Sequence, residues 1–411
     1  MHPLAPTHAL SRRRALRQIG AGASLAALWL LPARLAYAAT DRRLVVIVLR
    51  GALDGLAAVP AYADPDYRRQ RGALALAEPS EADGALDLDG YFGLHPALRS
   101  LHEMYRVGEL LVVHAVATPY RSRSHFDGQD LLENGTAAPR GASDGWLNRA
   151  LALLGPSDRR LGLAVGQTVP LLLRGSTPVG SYAPQTMAEL ESDFLARLAA
   201  LYRRDAIFAA AIDEGIKAQA MSDEVLGEEK RMGRETLRGP AAIRAVAAKV
   251  GKLLAAPDGA RVAVIEAGGW DTHAQQGTIN GRLAVGLASL AGALAALKEG
   301  LGPSWRQATI AVVTEFGRTV AINGTGGTDH GTAGIAFLLG GAVDGGRVVG
   351  QWPGLAQGRL YEGRDLAPTS DLRAVLKGIL AEHLGLPRDA IEREVFPGSA
   401  GVQPMRGLIR A

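Results

Sequence analysis

The sequence predicts an α/β fold, a three-layer α/β/α arrangement whose central sheet is mainly parallel and which carries a helical insertion. Three observations point there. Short apolar runs recur at 44–49 (LVVIVL), 109–116 (ELLVVHAV), 262–265 (VAVI), 309–314 (TIAVVT) and 335–341 (IAFLLGG). Runs this apolar fit strands buried on both faces. Segments with helical spacing lie between them, such as Pro96 to Arg106 and Leu283 to Glu299, and alternation of strand and helix favours a parallel sheet. From about residue 184 to 256 the chain is charged, alanine-rich and helical in pattern with no strand candidate, which makes this stretch the insertion.

The remaining elements follow in order. Of the 411 residues 47% are hydrophobic and 5% aromatic, enough to bury a large core. Residues 1–39 read as an export signal: Ser11, Arg12 and Arg13 precede an apolar run from Ile19 to Leu31, and Ala36 and Ala38 form an A-x-A cleavage pattern. SRRRALR at 11–17 matches the twin-arginine cue, with Ala15 and Leu16 as the apolar pair and Arg17 as the basic residue. That apolar run is shorter than the roughly 20 residues that cross a bilayer, and no later segment reads as long and apolar enough to cross one. The expectation is a single domain over 40–411, periplasmic or secreted, with the twin-arginine machinery as a partner and no membrane span. Residues 64–90, rich in Asp, Ala and Gly, read as a surface excursion. The C-terminal helix has Thr369 or Ser370 as its N-cap and Gly385 as its stop. Five arginines and no acids in residues 1–38 more than account for the formal charge of +4, so nothing points to nucleic acid. The absence of cysteine excludes disulfides, thiolate metal sites and a cysteine nucleophile.

In a parallel sheet ligands collect beyond the carboxyl ends of the strands. The residues there are consistent in type. Asp54 follows the first run, Ser124, His125 and Asp127 follow the second, and Asp271 and His273 follow VAVI. Glu315 and Arg318 follow TIAVVT, and Asp329 and His330 come just before the last run. Carboxylates and imidazoles are the ligands that hold divalent cations without thiolates. Gly268 and Gly269 are expected to let the chain turn so that Asp271 and His273 reach one metal. Ser124 is a candidate nucleophile, and three residues before Asp127 it is equally a candidate helix cap. No G-x-S-x-G elbow, Walker A loop, G-x-G-x-x-G or H-E-x-x-H occurs.

Taken together, RGALDGL, RSHFDGQDLLENG, GGWDTH, TEFGRT and GTDHGTAG resemble a family of twin-arginine-exported bacterial proteins known as domain of unknown function 1501. That family is in turn similar to the alkaline phosphatase and sulfatase superfamily of metal-dependent hydrolases. The wider resemblance implies an alkaline-phosphatase-like fold, a metal-binding Asp at Asp54, a nucleophile at Ser124, paired ligands at Asp271 and His273, and a last ligand at His330. The sequence departs from the superfamily at TEFGRT, where Glu315, Phe316 and Gly317 replace the usual Asp-His-Gly. A rival alignment uses Asp329, His330 and Gly331 for that motif, so Glu315 and Asp329 are alternative ligands. ATPYR at 117–121 resembles the sulfatase signature but has Ala117 where the modified residue would stand, which argues against that chemistry.

The functional expectation is an exported metal-dependent hydrolase of phosphate or related anionic esters, sulfate included, using Zn, Mn, Mg or Ca. In that reading Ser124, His125 and Arg318 are catalytic, with Arg318, Arg121 or Arg123 holding the anionic substrate. The alternative is a non-catalytic periplasmic protein that binds a metal or a polymer on the same fold.

Overall fold

The computed structural model describes residues 41–155, 161–183, 201, 205 and 240–410. The expected export signal and most of the expected helical insertion lie outside the described residues. Residues 41–411 cluster as one compact unit.

The strands are β1 (Arg43–Leu49), β2 (Leu86–Asp87), β3 (Gly93–Leu94), β4 (Leu110–Ala117), β5 (Gly162–Val165), β6 (Gly180–Tyr182), β7 (Val262–Ala267), β8 (Ala308–Thr314), β9 (Gly334–Leu339), β10 (Arg347–Val349) and β11 (Ser370–Asp371). β2 and β3 pair with each other, and the other nine form one sheet in the order β10-β4-β9-β8-β1-β7-β5-β6, with β11 also on β4. Every pairing in this sheet is parallel except those of β9, which runs antiparallel to β4 and β8. All five apolar runs are therefore strands of a mainly parallel sheet, as expected. The strands not foreseen, β2, β3, β5, β6, β10 and β11, have two to four residues, too few to show a period.

The helices that place the site are α1 (Gly55–Ala58), α2 (Tyr67–Arg71), α3 (Arg99–Arg106), α4 (His125–Asn134), α5 (Trp146–Leu153), α6 (Pro240–Ala255), α7 (Arg282–Leu301) and α8 (Leu372–Glu382). Because side chains alternate across a strand, β1 feeds two cores. Val45, Ile47 and Leu49 pack with residues of α3, α6 and α7, whereas Leu44, Val46 and Val48 pack with α5 and α8. These are the two helical layers around the sheet.

Three expectations need correction. α7 is long and apolar enough to cross a membrane by length and composition, but Leu283, Leu287, Leu290, Leu294 and Leu297 share one core with Val250, Leu253 and Leu254 of α6. The C-terminal helix is capped by Asp371, which accepts from the Arg373 N–H at 2.8 Å, and not by Thr369 or Ser370, because the helix begins only at Leu372. The 64–90 stretch is a surface excursion only in part, since Tyr67 and Arg71 are fully buried.

Two histidines away from the strand-end clusters bear on stability. His114, among Phe92 and Trp352, donates from Nε2 to the Val59 carbonyl while Nδ1 accepts from the Ala115 N–H. His383 uses Nε2 on the Arg43 carbonyl. Burial pushes both imidazoles down to about 4. A group whose folded pKa lies below its unfolded value of about 6.5 stabilises the fold above pH 6.5, and that contribution is lost as pH falls toward 4. We expect each histidine to remove roughly 3 kcal/mol over this window, seen as a falling urea midpoint that flattens in part in His114→Gln. A urea midpoint unchanged between pH 6.5 and 4 would contradict this.

Candidate metal centre

Five segments leave the sheet at one edge. Those after β1, β4, β7 and β8 do so because these strands are parallel, and the segment before β9 joins them because β9 is antiparallel. This reversal brings His330 to the others. The loops pack backbone on backbone: Gly51 has φ +117°, and a Cβ there would lie 2.6 Å from the Asp271 nitrogen. After β7 the turn toward Asp271 uses Gly269, at φ +97°; Gly268 has a conformation open to any residue.

The structure gathers His125, Asp271, His273 and His330. One ligand atom from each of His125, Asp271 and His330 lies within 4.8 Å of the other two. The Asp271 Oδ1 atom is 3.1 Å from His273 Nε2, 3.4 Å from His330 Nε2 and 3.6 Å from His125 Nε2. Each ring is held by its other nitrogen. Nδ1 of His125 donates to Glu315 Oε1 at 2.8 Å, Nδ1 of His273 to Asp329 Oδ1 at 3.0 Å, and Nδ1 of His330 to the Arg123 carbonyl at 2.9 Å. These acceptors carry no proton, so the Nδ1 atoms must carry it and the Nε2 atoms turn inward.

The residues present fit a metal ion. His125 Nε2 is buried with no hydrogen-bond partner, and a 3.6 Å approach to Asp271 is too long to be one. An orphaned buried polar atom costs about 1–3 kcal/mol unless something fills its place. The Nε2 atoms of His273 and His330 face each other at 2.9 Å, where two lone pairs repel unless a proton or a cation stands between them.

The surrounding charges favour this donor set. Burial opposes charge on Asp271, but the hydrogen bond and charge of Arg318 outweigh it and hold the carboxyl below its usual range. Burial likewise opposes charge on Glu315, and hydrogen bonds from His125, Gln129 and the Gly51 N–H reverse it. Asp329 is lowered chiefly by the Asn323 amide. Burial lowers His330, while the bond to Glu315 raises His125.

Several expected roles change. Asp54 is not in the cluster: buried, it caps α1 through the Ala57 N–H, pairs with Arg71 at 2.6 Å and accepts from Gln276 at 2.7 Å, which commits both oxygens. Glu315 and Asp329, the alternative ligands, each orient an imidazole instead. Arg318 gives its donors to Asp271 and Thr328 and has an enclosed side chain, so it serves the carboxylate and no anion. Arg121 turns Nη1 to the carbonyls of Thr118 and Tyr120 and does not line the depression beside the cluster. The Ser124 hydroxyl makes no hydrogen bond among the described residues, as nucleophile or as cap, and Asp127 accepts from Tyr120 instead. Phe316, which breaks the superfamily motif, stacks on His125 at 5.0 Å and lies 5.3 Å from His330, forming an apolar wall behind two rings.

Other members were not foreseen. Gln129 donates to Glu315 and accepts from Arg50; its spacing of four from His125 on one helix face is the signal that could have found it. Asn323, Gln276 and Arg71 carried no such signal.

The family model described as "Protein of unknown function (DUF1501)" matches residues 108–395. The chain belongs to this family. Every cluster residue of this DUF1501 protein falls within the matched span, whereas Asp54 precedes it. No curated protein matches the chain. Among solved structures it is similar to the C-terminal periplasmic domain of EcEptC from Escherichia coli in complex with Zn, at 9% identity and a TM-score of 0.39, covering 74% of each chain. It is also similar to a structure described under glycosaminoglycan metabolism by Bacteroides thetaiotaomicron, at 9% identity and a TM-score of 0.41, covering 88% of this chain and 75% of that one.

Asp54→Asn tests the reassignment of that residue. Leaving Arg71 buried without its counter-charge is expected to cost about 3–5 kcal/mol in denaturant unfolding, with metal uptake by the folded fraction unchanged. Loss of metal without loss of stability would return Asp54 to the ligand set.

Proposed function

We propose that this chain is an exported metal-dependent hydrolase acting on phosphate or related anionic esters. The observation that carries the reading is the convergence of three Nε2 atoms on one Asp271 oxygen, each ring fixed through Nδ1. His125, His273, His330 and Asp271 would hold the ion. Three nitrogens and one oxygen suit Zn better than Mg or Ca, which take oxygen ligands. A bound divalent ion supplies Lewis-acid polarisation of an ester oxygen and lowers the pKa of water.

The chain's own residues supply the rest. Glu315, Asp329 and the Arg123 carbonyl keep the imidazoles aimed, and Arg318 keeps Asp271 ionised. An open depression of about 500 Å³ is lined by Arg123, His273, Thr319, Asp329, His330 and Arg364, room for a small ester beside the cluster. Water is the nucleophile in this reading, since no base reaches the Ser124 hydroxyl among the described residues. Export through the twin-arginine pathway is part of the proposal and is supported by SRRRALR at 11–17.

The isolation of Ser124 also favours a second reading, a non-catalytic periplasmic metal- or polymer-binding protein. Stoichiometric metal with no turnover on a broad panel of esters would select it.

Metal content by mass spectrometry tests the centre. Asp271→Ala and His330→Ala are expected to lose the ion while folded, and Glu315→Gln to weaken binding about 10–100-fold. Wild-type metal content in both alanine variants would overturn the proposal.

A further inference from the structure

We propose that Arg123 and Arg364 form the subsite that takes the tetrahedral oxyanion group of the substrate, beside the metal centre; this rests on the hydrolase reading above. Both arginines line the same depression as His273 and His330. Sequence motifs do not mark Arg364; of the other nearby arginines, Arg318 is committed to Asp271 and Thr328, and Arg121, with Nη1 on two carbonyls, is not among the residues lining the depression.

One carboxylate organises the pair. Asp365, with a side chain 0% exposed, accepts from Arg123 Nε at 2.8 Å through Oδ2 and lies 3.0 Å from Arg364 Nε through Oδ1. Asp365 and the exposed Glu362, which pairs with Arg123, balance the two guanidinium charges, and Asp329 lines the same depression, so what the pair offers an anion is placed donors. The Nη1 atom of each guanidinium has no hydrogen bond among the described residues, so each keeps a donor for an incoming oxygen.

Both arginines are also fastened to a metal-site histidine. The Arg123 carbonyl accepts from His330 Nδ1, and Arg364 Nη2 donates to the His330 carbonyl at 2.6 Å. Arg123 holds a left-handed conformation, φ +60°, unusual for a residue with a side chain. It thereby turns its carbonyl to the ring while its guanidinium reaches Asp365. An anion on this pair would sit next to the cluster, where a metal-polarised ester has to be.

The test is calorimetric titration of the full chain with inorganic phosphate, with and without Zn²⁺, for wild type, Arg364→Gln and Arg123→Gln. Arg364 is 42% exposed, so its replacement should leave the fold intact, and a thermal melt checks this. We expect phosphate to bind the wild type and to weaken at least about tenfold in either variant, the size of one charge-assisted hydrogen bond. Zinc affinity should stay within about twofold in Arg364→Gln, as the ligands are untouched. Equal phosphate affinity in wild type and variants would overturn the subsite, and so would a parallel loss of zinc in Arg364→Gln, which would make the pair a support for His330. Absence of zinc uptake by the wild type would refute the hydrolase reading alone, because the metal-free titration still judges the arginines.

Discussion

A histidine can offer one ring nitrogen in a fixed direction only if its other nitrogen is held. In this chain three imidazoles are held at once, by Glu315, by Asp329 and by the Arg123 carbonyl, and their free nitrogens meet at one oxygen of Asp271. Folding alone does not favour this. An orphaned Nε2 and two Nε2 atoms facing each other at 2.9 Å are local features that the surrounding packing has to sustain, and sites of that kind point to a ligand.

What sustains them is a set of buried polar links reaching back into the sheet. Arg71 pairs with Asp54, Asp54 accepts from Gln276, Gln276 accepts from Thr328, and Thr328 accepts from Arg318, which grips Asp271. A second chain runs from Arg50 through Gln129 to Glu315 and His125. Removing one member strands its neighbour in a low-dielectric interior, so each link holds the next in place. Topology completes the arrangement, since β9 alone runs antiparallel and so starts where its neighbours end.

Much of the fold was legible because five strands are buried on both faces and announce themselves as unbroken apolar runs. The short edge strands were not, having no period to detect, and the cap at Asp371 was hidden because Ser370 is equally good by residue type. At the site, Asp271, His273 and His330 were legible from their place at strand ends. Their division of labour was not. Asp54 and Glu315 look like ligands in sequence, yet partner geometry makes one a core ion pair and the other an orienting group. Likewise Phe316 reads as a missing ligand, whereas its ring packs on His125. Partnerships across some fifty to three hundred and fifty positions, such as Arg123 with Asp365 or Asp54 with Gln276, leave no trace in local spacing.

The central claim is that one ion sits where these nitrogens converge, and anomalous diffraction from zinc-soaked crystals addresses it most directly. The account predicts a single strong peak at bonding distance, about 2.0–2.1 Å, from Nε2 of His125, His273 and His330, with Asp271 Oδ1 as the fourth ligand. A peak centred on Asp54 or on Glu315, or none at this edge of the sheet, would contradict it.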